Sequence, residues 1–143
     1  MIFQDKNCTF TYNDSGFTKC ELTYKNKVFT GYAFCLEKDK DFQSDRTGCF
    51  IAEMKAQLKK MRYMRAETRK SQKALIDFKK RLECCKDYDE NSFESKRLRK
   101  EIYIYQKEID NITAAITDTE NYLKDYIEGK EKLYQKIRAK SIN

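Results

Sequence analysis

Apolar residues recur at heptad spacing through the last third of this 143-residue chain. A pattern of this length is typical of a coiled-coil helix, which over roughly forty residues would extend about 60 Å. Isolated, such a helix exposes its apolar seam to water, so we expect the seam to pack on a helix of the same chain, on a second subunit, or on both. The twelve positions of the seam are Leu98, Ile102, Tyr105, Ile109, Ile112, Ile116, Thr119, Leu123, Tyr126, Lys130, Leu133 and Ile137. Ten of them are apolar, and the exceptions are Thr119 and Lys130.

Two long helices are favoured because the chain has no proline and only four glycines. The first is predicted over residues 44–84 and the second over 92–140, where Asn91 and Glu94 have the spacing of a capping box. The apolar stripe of the first helix is polar at Arg65, Thr68 and Gln72. This helix therefore either breaks near 66–73 or turns its middle to water or a polar ligand. Because its stripe is interrupted, we expect a homo-oligomer in which another protomer covers the seam of the second helix.

Residues 1–36 alternate apolar and polar side chains in three short runs separated by turn formers. Gly31, within the third run, indicates a bulge or a close backbone approach. A short meander buries little by itself, so one face must pack on a helix. The sequence predicts an α+β fold in a single domain, 1–143: an N-terminal three-stranded antiparallel β-meander followed by two long antiparallel α-helices in a coiled-coil-like hairpin.

Positive charge is concentrated on the first helix. The chain carries a net charge of +7, whereas the segment from Lys55 to Arg81 has eleven basic residues against Glu67 and Asp77, a net +9. Such a field attracts a nucleotide, a nucleic acid or an acidic protein surface. The alternative is a solvated helix surface with no ligand.

Enzymatic chemistry is not expected. The chain has no histidine, which removes the usual general base and the commonest metal ligand. The glycines at 16, 31, 48 and 129 are too far apart to form a phosphate-binding loop. We expect no catalytic residues and no cofactor.

The six cysteines are expected to be reduced thiols, because no secretory signal precedes them. A zinc site built from Cys8, Cys20, Cys35 and Cys49 is disfavoured since these residues lack knuckle spacing and alternate like core residues. No run is long and apolar enough to span a membrane. A cytoplasmic protein without membrane contact is expected.

The start of the first helix is one candidate ligand site. The backbone N–H groups of residues 47–49, assisted by Arg46, have the arrangement that binds phosphate. The alternative is that Ser44 or Asp45 caps the helix, while the acids at 39 and 41 favour its positive end.

The turn between the helices is the second candidate. Phe93 can stack on a base, the Asn91 amide can read a base edge, and arginines can clamp phosphate. The alternative is that Phe93 packs as a staple on the helix start and the arginines are solvated. Cations of the first helix complete the set, so that the candidate ligand-binding residues are Arg46, Arg62, Arg65, Asn91, Phe93, Arg97 and Arg99.

Three short segments carry a family resemblance. The strand end Gly31-Tyr32-Ala33-Phe34-Cys35, the acidic Asp39-Lys40-Asp41 and the helix start Gly48-Cys49-Phe50-Ile51-Ala52 resemble a family of small phage and prophage proteins. These share a G-x-A-x-C strand end and a G-x-x-I-A helix start, and the pattern covers roughly residues 28–65. The chain is also similar to the phage anti-Thoeris sponge proteins.

The resemblance implies a function. Sponge proteins of this kind combine an N-terminal sheet with long helices, form oligomers, and sequester cyclic-nucleotide immune signals without cleaving them. We therefore expect a non-enzymatic anti-defence protein of an infected bacterial host that holds a phosphate-rich signal in basic pockets between subunits. The alternative is a coiled-coil inhibitor, similar to anti-CRISPR proteins, that binds a host defence nuclease or nucleic acid through its basic helix.

Overall fold

The computed structural model describes residues 7–12, 16–35 and 45–142. Three strands are followed by two helices: β1 (Cys8–Tyr12), β2 (Phe17–Tyr24), β3 (Lys27–Phe34), α1 (Asp45–Glu83) and α2 (Phe93–Ile142). The predicted α+β class, with a meander before two helices, is confirmed. The acidic loop, including the proposed cap Ser44, lies outside the described residues.

The sheet has the order β1-β2-β3, and both pairs of neighbouring strands are antiparallel. The turn between β2 and β3 consists of Lys25 and Asn26, whose φ angles are 48° and 63°. Two consecutive left-handed residues are the signature of a type I′ turn, whose twist matches that of the strands it joins. The connection therefore fixes the register in which Tyr24 pairs with Lys27.

One face of the sheet packs against the first turns of α1. Cys20, Leu22 and Ala33 are buried there against Ala52 and Ala56. Their alternation along β2 and β3 is the period-2 pattern of a half-buried sheet. Small side chains fill most of this core, so the sheet and the helix lie unusually close together.

Gly31 shows how close that approach is. A Cβ at this position would collide with the carbonyl oxygen of Ala52 and lie 2.6 Å from the backbone nitrogen of Ala56. The strand has no bulge, because Gly31 pairs with Cys20 in an unbroken register. Of the two predicted roles for this glycine, the structure shows the close backbone approach.

The chain divides into two compact units, which are described separately. Unit 1 comprises Met1–Lys60 and Thr117–Asn143, and unit 2 comprises Met61–Ile116. In unit 1 the ring of Phe50 lies 4.5 Å from that of Tyr126 and 6.0 Å from that of Tyr122. In unit 2 the helices are joined by hydrogen bonds from Arg65 and Gln72 to the facing helix. In unit 2 the order of these contacts, Arg65 with Thr113 and Gln72 with Gln106, is that of antiparallel helices.

The α2 seam is covered in part by the chain itself. Leu98, Ile109, Ile116 and Leu123 are buried, Leu133 is 46% exposed, and the other seven positions are half-buried. Covering the seam therefore does not by itself require a second subunit. The half-buried positions leave apolar surface available, and the homo-oligomer stays a prediction.

Helix α1 runs without a break through residues 66–73. Its polar middle is explained by its partners in unit 2. Arg65 donates a hydrogen bond to the hydroxyl of Thr113 over 3.4 Å, and Gln72 donates one to the side-chain oxygen of Gln106 over 2.8 Å. The interruption of the stripe is thus a polar layer between helices, an option that periodicity alone did not indicate.

Candidate functional site

The seven predicted ligand-binding residues do not form one cluster in the chain. Arg46 lies in unit 1, and the other six lie in unit 2. Within unit 2, Arg65 contacts Thr113 on α2, which is fourteen residues, or about 21 Å along the helix, beyond Arg99. The set therefore separates into the start of α1, the middle of α1 and the turn between the helices.

The start of α1 is closed by the chain's own side chains. Thr47 and Cys49 are each only 3% exposed. The Thr47 hydroxyl hydrogen-bonds the phenol of Tyr134, whose pKa is raised mainly by burial, and the Tyr12 hydroxyl lies 2.8 Å from the Cys49 sulfur. Arg46 itself is exposed. The described residues at this helix start are thus organised for packing, with little room for an anion beside them.

The turn into α2 is capped differently from the prediction. Ser92 is the N-cap: its hydroxyl accepts a 3.2 Å hydrogen bond from the Ser95 N–H, and the Ser95 hydroxyl in turn donates to the Asp89 carbonyl. The predicted Asn91–Glu94 capping box is wrong by one residue. Asn91 instead donates its backbone N–H to the side chain of Asp89 over 2.9 Å.

Phe93, the first residue of α2, is 79% exposed. The predicted staple requires this ring to pack on the helix start, and such exposure rules that packing out. Arg97, one turn further on, is ion-paired with Glu101 at 3.2 Å, whereas Arg99 donates to the backbone carbonyl of Glu90 over 2.8 Å. Arg99 therefore anchors the turn, and Phe93 with Arg97 is the accessible part of this cluster.

A row of exposed cations along α1, which we call the basic stripe, contains only one of the predicted ligand-binding residues, Arg62. It consists of Arg62, Arg69, Lys73 and Lys80. At about 100° per residue these positions fall within about 40° of one another on the helix, and they extend over about 27 Å. Arg69, Lys73 and Lys80 have no ion-pair partner among the described residues. The signal in the sequence was the spacing of these four residues, which are seven, four and seven positions apart and therefore share one side of a helix.

Two lysines on other sides of α1 are ion-paired with glutamates of the same helix. Lys70, on a different side of the helix, is ion-paired with Glu67 at 3.4 Å, and Lys79 with Glu83 at 3.6 Å. Asp77 is the acidic residue close to the stripe, between Lys73 and Lys80 in sequence and exposed. Arg69, Lys73 and Lys80 thus present positive charge that Asp77 only partly offsets.

A groove in unit 1 has the opposite character. It has a volume of about 400 Å³, and its apolar lining residues are Leu58, Leu123 and Ile127. Its other lining residues are Lys124 and three carboxylates, Glu120, Glu128 and Glu131. A phosphate would meet repulsion there. This groove is therefore not suited to the phosphate-rich ligand expected from the sequence.

All six cysteines are free thiols. Cys8 donates its S–H toward the Glu53 carboxylate over 3.7 Å, and burial raises the pKa of the neighbouring Cys20 thiol. Within residues 7–12, 16–35 and 45–142, no three metal-binding side chains converge on a common point. In the same ranges, neither helix has a stretch apolar enough to cross a bilayer.

Comparison of the chain with protein-family models, curated proteins and solved structures returned no match.

Proposed function

We propose that this protein is a non-enzymatic binding protein for phosphate-rich ligands and that the basic stripe of α1 contacts the backbone of a nucleic acid. The observation that carries the proposal is the row of exposed, unpaired cations Arg69, Lys73 and Lys80. The full basic stripe, which also includes Arg62, is about 27 Å long and matches an extended polyanion better than a compact ligand, because successive phosphates follow the helix side by side.

Charge and composition support the same reading. The chain carries a net +7 and contains no histidine, so electrostatic attraction is available while the usual acid–base catalyst is not. The acidic groove of unit 1 directs an anion away from that part of the surface. Binding through the stripe alone would depend on charge and show little sequence preference.

A second candidate is the sequestration of a cyclic nucleotide, which the resemblance to sponge proteins suggests. It is favoured by the 79% exposure of Phe93 with Arg97 one turn away, since an aromatic ring stacks on a base and a guanidinium binds phosphate. In this proposal the pocket is completed by a second subunit of a homo-oligomer.

A binding panel separates the two candidates. Fluorescence anisotropy would measure affinity for a labelled single strand, a duplex and a labelled cyclic dinucleotide, with the wild type, Lys73→Gln and Phe93→Ala. Nucleic-acid binding predicts that Lys73→Gln weakens binding of the strands several-fold. Lys70→Gln, the matched control on the same helix, should have a smaller effect because Lys70 is paired with Glu67. Tight binding of the cyclic dinucleotide alone, lost in Phe93→Ala, would establish the second candidate in place of the first.

A further inference from the structure

Three aromatic rings cluster on the face of the sheet that points away from α1. Phe17 of β2 pairs in register with Phe34 of β3, and Tyr32 lies two residues before Phe34 on the same face. The ring centroids of Phe17 lie 5.6 Å from Tyr32 and 5.2 Å from Phe34. Those of Tyr32 and Phe34 are 6.4 Å apart, with planes inclined by 17°. We call these residues the aromatic cluster.

The cluster is open to solvent. Phe34 is 72% exposed and Tyr32 38% exposed, although the opposite face of the same strand buries Gly31 and Ala33. The core of unit 1 therefore does not need these rings. Aromatic surface that stays in water contributes nothing to the stability of the fold, and an exposed aromatic patch of this kind marks a contact surface.

The surroundings of the rings indicate a ligand with planar aromatic groups. Among the described residues, polar side chains on the same face of the sheet include Lys19, which pairs in register with Tyr32, and Glu21. Glu21 holds Lys19 at 2.9 Å, and that hydrogen bond and charge raise the pKa of the lysine, so it stays protonated. Because Lys19 is paired with Glu21, the rings and not the lysine are the binding element here, and aromatic rings on an open sheet are a surface on which unpaired bases stack.

We propose that the aromatic cluster stacks the bases of a single-stranded nucleic acid. This inference rests on the proposed function, because a protein that binds nucleic acid by charge alone does not distinguish strands whose bases are unpaired, and the cluster supplies that selection. A duplex hides its base faces in the helical stack and offers the cluster nothing to stack on. The ligand class is therefore a single strand with little sequence preference, since every base has a π-face.

The chain offers a direct reporter, because it contains no tryptophan. Phe34→Trp places a lone indole at the most exposed ring of the cluster without disturbing the core. Titration with an oligothymidylate should quench its fluorescence, whereas a duplex of the same length or inorganic polyphosphate should leave it unchanged. Anisotropy of the labelled strand, recorded in parallel, reports binding independently of stacking.

Affinity provides a second measurement. Phe34→Ala should weaken binding of the oligothymidylate about tenfold while leaving its salt dependence and duplex binding unchanged. Val28→Ala is the matched control, since Val28 is 55% exposed on the same face of the sheet but at the other end of β3.

The outcomes separate this inference from the proposed function. Strand binding with unchanged tryptophan fluorescence and an unaffected Phe34→Ala variant would overturn the stacking site and leave polyanion binding standing; the cluster would then be a protein-docking surface. Failure of every single strand and duplex to bind would overturn both.

Discussion

Gly31 of β3 lies directly against Ala52 of α1, at a distance that leaves no room for a side chain. A Cβ on Gly31 would collide with the Ala52 carbonyl oxygen and come within 3.0 Å of its carbon. Both are backbone atoms of a helix, so neither can rotate away. This contact positions the sheet on α1, and the other face of the same strand carries the aromatic cluster.

Gly31→Ala is therefore expected to destabilise the protein by about 3 kcal/mol, the upper part of the usual range for overpacking. Gly129→Ala is the control. It is also a glycine-to-alanine change, but a Cβ at Gly129 meets nothing within 4 Å, and the residue lies inside α2. The control should gain about 0.5–1 kcal/mol from helix propensity. Urea unfolding followed by circular dichroism measures both, and equal midpoints for the two variants would contradict the close approach.

The N-cap of α2 provides a second test. Ser92→Ala removes the hydroxyl that accepts from the Ser95 N–H and should cost about 1 kcal/mol of unfolding free energy. Asn91→Ala should stay within about 0.5 kcal/mol of the wild type, because the Asn91 bond to Asp89 uses its backbone N–H. Thermal or urea unfolding distinguishes the two, and a larger loss from Asn91→Ala would reinstate the capping box.

Stability should fall at alkaline pH because of Cys20. Burial, and secondarily the neighbouring Cys8, raises the pKa of the Cys20 thiol in the folded protein. An unfolded thiol titrates near pH 8.5, so above about that pH the unfolded chain releases a proton that the folded chain keeps. The contribution of this thiol is complete below about pH 8.5. Above it, the unfolding free energy falls by up to about 1.4 kcal/mol per pH unit.

Urea unfolding under reducing conditions between about pH 8 and pH 10 measures this slope. Cys20→Ala should be less stable overall, because it leaves a cavity, yet show a shallower loss with rising pH. Tyr134, whose pKa is raised mainly by burial, should add a similar loss above about pH 10 in both proteins. An unchanged slope in Cys20→Ala would contradict the assignment to this thiol.

Arg65 and Arg69 are one helical turn apart and should have opposite roles. Arg65→Met loses the hydrogen bond to Thr113 and should cost about 1 kcal/mol of stability, with a small effect on strand binding. Arg69→Met should leave stability within about 0.5 kcal/mol and weaken strand binding several-fold. Urea unfolding measures the stability of the two variants, and fluorescence anisotropy measures their affinity for the strand. A binding defect confined to Arg65→Met would place the ligand between the helices instead of on the basic stripe.

Much of the fold could be predicted from local pattern. Alternation gave the three strands, the scarcity of glycine and proline gave two long helices, and Gly31 inside a strand indicated the close approach. The middle of α1 could not be resolved in this way. From the sequence, Arg65 and Gln72 indicated a helix break or a face turned to water or a polar ligand. Their partners, Thr113 and Gln106, are more than thirty residues away in sequence, and the pairing depends on the register between the helices.

The candidate site was harder to predict for a related reason. Sequence chemistry selected residue types such as Phe93 and Arg99, but whether a cation is free depends on its neighbours. Arg99 donates a hydrogen bond to the backbone carbonyl of Glu90, whereas Lys73 has no partner among the described residues. The aromatic cluster depends on the cross-strand register of Phe17 with Phe34, which a linear sequence does not display.

The central claim is that the basic stripe binds the phosphates of a nucleic acid. The most direct test is the salt dependence of affinity for a labelled single strand, compared between the wild type and the triple variant Arg69→Gln/Lys73→Gln/Lys80→Gln. Three lost phosphate contacts should lower the slope of log affinity against log salt by about 2. A slope equal to that of the wild type would contradict the claim, because the strand would then bind elsewhere.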